Sequence, residues 1–98
     1  MDELEFEYDE EKNSRNRERH GIDFENAQKL WNTDHTLTPA REAAGEIRLF
    51  IVGRLEGKLY AAVFTMRGNV IRLISCRRAD RRLQQIYETH RQRKNYDA

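Results

Sequence analysis

The chain has 98 residues, of which 36% are charged, and its formal net charge is +1. This length predicts a single domain, residues 1–98, with one modest core. No apolar run is long enough to span a membrane, and the acidic N-terminus is unlike a secretory or transit peptide. The single cysteine excludes an internal disulfide. We therefore expect a cytoplasmic protein that does not act at a membrane.

The charges are unevenly distributed along the chain. Residues 1–34 carry 11 acidic and 5 basic side chains, whereas residues 67–98 carry 3 acidic and 9 basic ones. This asymmetry predicts a surface that binds a polyanion, and RNA is the partner we expect. Mutual neutralisation of the two ends across the fold is the alternative that charge alone leaves open.

The first third of the chain predicts a strand and a polar helix. Residues 4–8 alternate apolar and acidic side chains, which is the period of a half-buried strand. Asp9 suits the N-cap of a helix that runs to His20 and ends at Gly21, where glycine favours the left-handed conformation. The helix is almost devoid of apolar residues, and the stripe at helical spacing that would face inward is Lys12, Asn16 and His20.

Further elements follow in order. Asp23 starts a second helix, with an apolar face of Phe24, Ala27, Leu30 and Trp31. Residues 33–45 form a loop in which 35–38 are a candidate strand. Strands at 47–52, 59–66 and 69–75 are joined by short connections, which predicts an antiparallel meander. A last amphipathic helix begins near Ala79 or Asp80. We therefore predict an α+β domain: an antiparallel sheet of about four strands, two N-terminal helices and one C-terminal helix.

The candidate phosphate ligands are arginines near the last hairpin. The sequence has no phosphate loop, dinucleotide fingerprint or zinc-protease motif, and we expect no metal and no other cofactor. Guanidinium groups form planar, bidentate forks that suit phosphate. For Arg72, an ion pair with a neighbouring acid remains the alternative. The arginines of this set are Arg67, Arg72, Arg77 and Arg78.

Metal-free RNA cleavage needs a group that moves protons near neutral pH as well as cations around the phosphate. His20, at the end of the polar helix, is the best-placed histidine, and Lys12 is an auxiliary cation. The alternatives are that His20 only completes a helix C-terminus and that Lys12 and Asn16 only dock the helix. We expect Cys76 to be a small packing residue.

Two blocks of the sequence resemble the BrnT-type toxins. The first comprises residues 6–13, Asn16, residues 20–25 and Ala27, and it matches the family's aromatic-acidic opening, polar helix and histidine-glycine segment. The second is residues 65–79, which follow the pattern T-x-R-G-x-x-x-R-x-I-S-A-R-R-A. Tyr87 also falls at an expected tyrosine. The departures are Arg19 in place of lysine and Cys76 in place of alanine.

The resemblance implies the toxin of a type II toxin–antitoxin pair, with a RelE-like fold, that cleaves RNA and halts translation. It also implies a BrnA-type ribbon-helix-helix antitoxin, a complex of two toxins with two antitoxins, and DNA contact only through the antitoxin. A non-catalytic module that binds nucleic acid or protein is the alternative. The catalytic candidates are His20, Arg67, Arg72, Arg77 and Arg78, and the RNA-binding candidates are Lys12, Arg67 and Arg78.

Overall fold

The computed structural model describes the backbone of residues 3–96 and the side chains of residues 3–93. Over this part of the chain, no helix combines the length and the apolar composition needed to cross a membrane. The elements, in chain order, are β1 (Glu5–Glu7), α1 (Glu10–His20), α2 (Phe24–Ala27) continuing as a 3₁₀ helix (Gln28–Asn32), β2 (His35–Pro39), β3 (Leu49–Leu55), β4 (Lys58–Arg67), β5 (Val70–Arg78) and α3 (Arg81–Tyr96).

One mixed sheet organises the fold. Its order is β1-β5-β4-β3-β2, with β1 parallel to β5 and all other neighbours antiparallel. The predicted meander is confirmed, and the candidate strand at 35–38 is present as β2. The prediction of about four antiparallel strands is wrong in detail, because β2 makes a fifth strand and β1 pairs with β5 in parallel. Alternating side chains predict a strand, but they carry no information about a partner that lies more than 60 residues away.

The ends of α1 follow the predicted capping residues. The Asp9 carboxylate accepts hydrogen bonds from the backbone N–H groups of Glu11 and Lys12, at 2.8 and 3.2 Å. Gly21 has a φ of 74°, and its N–H donates to the carbonyl of Arg17. Both ends thereby satisfy backbone groups that a helix leaves unpaired.

The second helix is shorter than predicted, with a single α turn before the backbone tightens to 3₁₀ geometry. The 3₁₀ segment packs closely on β3 at Gly53. A Cβ placed there would lie 2.9 Å from Thr33 Oγ1 and 3.2 Å from Leu30 Cδ2. The missing side chain of Gly53 therefore allows this close approach.

The helices cover both faces of the sheet and create two apolar clusters. We call these faces the α2 face and the α3 face, after the helix that packs on each. The central strand β4 contributes Ala62 and Phe64 to one face and Ala61 to the other, so it is buried on both sides. The main side chains on the α2 face are Phe24, Ala27, Leu30, Ile51, Leu73 and Cys76, and those on the α3 face are Val52, Leu83 and Tyr87.

Candidate functional site

A β-bulge in β5 determines which side chains meet at the candidate site. Val63 of β4 pairs with Ser75, and the next residue, Phe64, pairs with Leu73, so Ile74 is the extra residue. Simple alternation places Ser75 on the same face as Leu73, and that prediction is wrong. The bulge moves Ser75 to the face that carries Arg72 and turns Cys76 into the core.

Asn16 fixes α1 against the edge of β5 beyond the short strand β1. Its Nδ2 group donates to the carbonyl oxygens of Ile22 and Cys76, both at 2.8 Å. Its Oδ1 accepts from the N–H of Cys76 at 3.0 Å. Asn16 is only 6% exposed, so its amide satisfies backbone groups that would otherwise be buried without partners. The docking role considered for Asn16 is therefore present in the structure.

A cleft of about 210 Å³ lies between α1 and the bulge of β5. Its charged or titratable lining residues are all basic, and they come from successive turns of one face of α1. The predicted stripe thus brings Lys12 and His20 to a common cavity, with Ser75 opposite them. We call this cavity the basic cleft, and it is lined by Lys12, Arg15, Asn16, Arg19, His20, Ile74 and Ser75.

Three of the four predicted arginines lie on the α3 face. Arg72 pairs with Thr65 of β4, and Arg67, two residues after Thr65, points to the same face. Arg77 pairs with Ala61, which belongs to the apolar cluster of the α3 face. Arg72 and Ser75 occupy neighbouring positions of this face, roughly 7 Å apart along the strand. The basic cleft therefore adjoins the arginine-bearing surface at Ser75.

Arg72 takes part in the ion pair that was considered as its alternative role. Its Nη1 lies 2.7 Å from Glu7 Oε2, and this carboxylate is also 3.9 Å from Arg67. Arg67 in turn lies 3.3 Å from Glu46, which is 3.7 Å from Arg48. The result is a chain of three guanidinium groups linked by two carboxylates, with a residual positive charge.

Arg77 and Arg78 point to opposite faces of the sheet because they are consecutive strand residues. Arg77 forms an exposed pair with Asp80 at 3.9 Å. Arg78 lies over the ring of Tyr60, with its guanidinium carbon 5.8 Å from the ring centroid. The structure therefore does not gather all four arginines into one site, and Arg78 is the one that lies apart.

Several basic residues of this region were not predicted from the sequence as site residues. Arg15 and Arg19 follow Lys12 at i+3 and i+7, a spacing that could have placed them on the same helical face. Arg48 interrupts an apolar strand sequence, and its buried Nε has no hydrogen-bond partner in the described part of the chain. Ser75 carried no comparable signal, because it reaches the cleft only through the bulge.

Other titratable groups contribute less to the site. Burial raises the pKa of the Cys76 thiol to about 12, so this thiol stays protonated and unreactive near neutral pH. Among residues 3–96 no group of three or more His, Cys, Asp or Glu side chains is arranged to hold a metal ion. The side chains that line the basic cleft offer cationic donors, one imidazole, one amide and one hydroxyl.

Comparison with known proteins identifies the family of this chain. No curated protein matches the chain. A family model described as "ribonuclease toxin, BrnT, of type II toxin-antitoxin system" matches residues 8–82, from the end of β1 to the first turn of α3. The match includes every residue of the basic cleft and covers most of the chain. The chain therefore belongs to the BrnT family of ribonuclease toxins of type II toxin–antitoxin systems.

Proposed function

We propose that this single toxin domain is a metal-independent endoribonuclease that acts in the basic cleft and inhibits translation by cutting RNA. The observation that carries the proposal is the lining of the cleft. Lys12, Arg15, Arg19 and His20 converge there from one helix, opposite Ser75. Such a cleft concentrates positive charge where a phosphate can enter. Among the described residues, His20 is the only histidine that lines it.

The reaction we propose is attack of a ribose 2′-oxygen on the adjacent phosphorus. The bond from phosphorus to the 5′-oxygen breaks, which leaves a 2′,3′-cyclic phosphate and a 5′-hydroxyl. One proton leaves the 2′-hydroxyl and another is delivered to the departing 5′-oxygen. His20 is our candidate for one of these proton transfers, while Lys12 and Arg19 stabilise the negative charge that develops on the phosphoryl oxygens.

The arginines of the α3 face would bind the RNA backbone that leads to the cleft. Arg67, whose side chain is 53% exposed, is open to an incoming phosphate. Arg72 is more buried and is oriented by the Glu7 carboxylate, so it offers its remaining donors in a fixed direction. Arg77 would bind a phosphate further along the strand. Arg78 would bind RNA on the other face, beyond the end of α1.

Membership of a type II system implies a protein antitoxin, and we propose that it is a BrnA-type ribbon-helix-helix protein. Two toxins and two antitoxins would form the complex, and the antitoxin alone would contact DNA. Co-expression with the neighbouring small reading frame, followed by light scattering of the purified complex, tests this assignment. A 1:1 heterodimer, or no complex, would contradict it.

The test of the catalytic proposal uses purified chain free of antitoxin and a defined RNA, with and without EDTA. We expect cleavage in EDTA, a decrease of about 100-fold or more for His20→Ala, and clear decreases for Lys12→Ala and Arg72→Ala. Lys58→Ala is the matched control, because Lys58 is an exposed lysine at the start of β4. Cleavage that is abolished by EDTA, or that is unchanged in His20→Ala, would overturn the proposed mechanism.

Inhibition of translation is tested separately by induced expression in a bacterial host. Wild-type protein should stop incorporation of a labelled amino acid within minutes, and His20→Ala should not. Equal amounts of soluble protein must be present in both cultures. Continued incorporation with active wild-type enzyme would restrict the proposal to RNA cleavage without an effect on translation.

A further inference from the structure

A second cavity lies near the His20 end of the basic cleft. It has a volume of about 500 Å³ and lies between the end of α1, the 3₁₀ helix and the turn that joins β3 to β4. Gly21, which lines it, directly follows His20 of the basic cleft. The volume is in the range of small-molecule sites. A nucleotide bound at His20 could therefore place its neighbour in this cavity, which we call the Tyr60 pocket after its aromatic residue.

Tyr60 provides an aromatic surface in the lining of this pocket, and Arg78 lies beside the pocket, over the Tyr60 ring. The Tyr60 ring is half-buried and packs against the core of the α2 face, which holds it in place. The exposed guanidinium of Arg78 lies over the ring, 5.8 Å from its centroid. Proteins that bind single-stranded RNA stack bases on aromatic rings and on guanidinium planes of this kind.

The polar lining of the Tyr60 pocket suits the edge of a base better than a second phosphate. Its charged residues have both signs, with Lys29 and Arg54 against Glu56, so the pocket lacks the uniform positive charge of the basic cleft. Asn32 adds an exposed side-chain amide. Asn26 directs one N–H to the N-cap carboxylate of α2 at 2.9 Å, which leaves its carbonyl oxygen to accept. Amide groups match the mixed donors and acceptors of a base edge.

We propose that the Tyr60 pocket binds the base of the RNA nucleotide adjacent to the cleaved bond and thereby determines the sequence preference of cleavage. This inference rests on the proposed function, because it takes the basic cleft as the place where the phosphate is cut. Arg78, which lies over the Tyr60 ring, would then contact the RNA beside this base. The ligand is a nucleobase that stacks on the ring of Tyr60.

Binding is measured first, with ligands that cannot be cleaved. The four nucleoside 5′-monophosphates are titrated into the wild-type chain and followed by NMR, with ribose 5-phosphate and inorganic phosphate as probes that lack a base. We expect at least one nucleotide to shift the amide signals of Asn26, Asn32 and Tyr60 and to bind clearly more tightly than ribose 5-phosphate. Equal affinities with and without the base would overturn the proposal.

Variants then separate stacking from folding. Tyr60→Leu should weaken nucleotide binding about tenfold, which is typical for the loss of a stacking ring. Tyr60→Phe should retain binding, because it keeps the ring, and Lys58→Ala serves as a control outside the pocket. If Tyr60→Leu proves unfolded in urea titrations, Asn32→Ala replaces it, since Asn32 is exposed and outside the core. Unchanged affinity in the folded variant would overturn the proposal.

The cleavage pattern provides the last test. On one RNA that contains all dinucleotides, Asn32→Ala should change the relative frequency of cleavage sites, while Lys58→Ala should not. An unchanged pattern with normal total activity would reject the specificity role and leave the catalytic proposal intact. Loss of base binding and loss of catalysis are thus measured independently.

Discussion

The contact most sensitive to mutation should be the amide of Asn16, which holds α1 against β5. In Asn16→Ala, the carbonyl groups of Ile22 and Cys76 and the N–H of Cys76 lose hydrogen bonds of 2.8, 2.8 and 3.0 Å. A buried hydrogen bond contributes about 1 kcal/mol net, and an unsatisfied buried group costs about 1–3 kcal/mol. The expected loss in the free energy of unfolding is therefore about 3 kcal/mol.

Asn13→Ala is the matched control for this experiment. The side-chain oxygen Oδ1 of Asn13 accepts a single hydrogen bond, from the backbone N–H of Phe24 at 2.7 Å, at a partly buried position. We expect its loss to cost about 1 kcal/mol. Asn16→Asp adds a second comparison, because a carboxylate can still accept from Cys76 but cannot donate to the two carbonyl groups. It should therefore be at least as destabilising as alanine at pH 7, because the buried carboxylate would face two carbonyl oxygens.

The assay is urea unfolding at pH 7, followed by circular dichroism, with the melting temperature as a second measure. For a domain of this size, a loss of 3 kcal/mol corresponds to a decrease in melting temperature of about 12 °C or more. If Asn16→Ala and Asn13→Ala differ by less than about 0.5 kcal/mol, then Asn16 does not hold α1 in place. The proposed geometry of the basic cleft would then lack its support.

Three further experiments test other parts of the structure. Gly53→Ala should lower the free energy of unfolding in urea by about 1–3 kcal/mol, because its Cβ would lie 2.9 Å from Thr33 Oγ1. The additional change Thr33→Ala should restore part of this stability. Full stability of the Gly53→Ala variant would contradict the close packing. The Cys76 thiol is fully buried, and burial raises its pKa to about 12. It should therefore react with a disulfide reagent at least about 100-fold more slowly in native protein than in urea. Comparable rates would show that solvent reaches Cys76 in the native protein. Hydrogen bonds from the backbone and side chain of Asn26 hold the pKa of Asp23 below its ordinary value of 3.8. Its ionised form therefore stabilises the fold above this pH, and the contribution disappears as the pH falls through the lower folded-state pKa. Asp23→Ala should cost about 1 kcal/mol at pH 7 and less at pH 2, whereas a constant cost would exclude this linkage.

Local signals in the sequence predicted much of the fold. The capping residues Asp9, Gly21 and Asp23 marked helix ends correctly, because caps depend on hydrogen bonds between residues close in the chain. The strands β3, β4 and β5 followed from apolar runs separated by short turns. Glu56 and Gly57, which join two of them, both have positive φ, as a tight turn of this kind requires.

Long-range features could not be predicted in this way. The parallel pairing of β1 with β5 depends on contacts across the chain, and the bulge at Ile74 is a feature of how β5 pairs with β4. Alternation along β5 therefore placed Ser75 on the wrong face. The same limit applies to the arginines. Alternation predicts that Arg77 and Arg78 face opposite sides, but the bulge decides that Arg77, and not Arg78, shares the face of Arg72.

The candidate site was only partly visible from the sequence. The stripe of Lys12, Asn16 and His20 was recognised, and the structure brings all three to the basic cleft. Their roles differ, because Asn16 is buried by its bonds to β5 whereas Lys12 is exposed. Sequence spacing places residues on one side of a helix, but it does not show which of them are buried against the sheet and which stay exposed.

The chemistry of the RNA ends tests the central claim most directly. RNA cut by the purified chain in EDTA should carry 2′,3′-cyclic phosphate and 5′-hydroxyl ends, because the nucleophile we propose is the neighbouring 2′-oxygen. An RNA with a 2′-deoxy residue at the cleavage position should remain intact there. Fragments with 5′-phosphate and 3′-hydroxyl ends, or cleavage of the deoxy-substituted position, would contradict the mechanism proposed for the basic cleft.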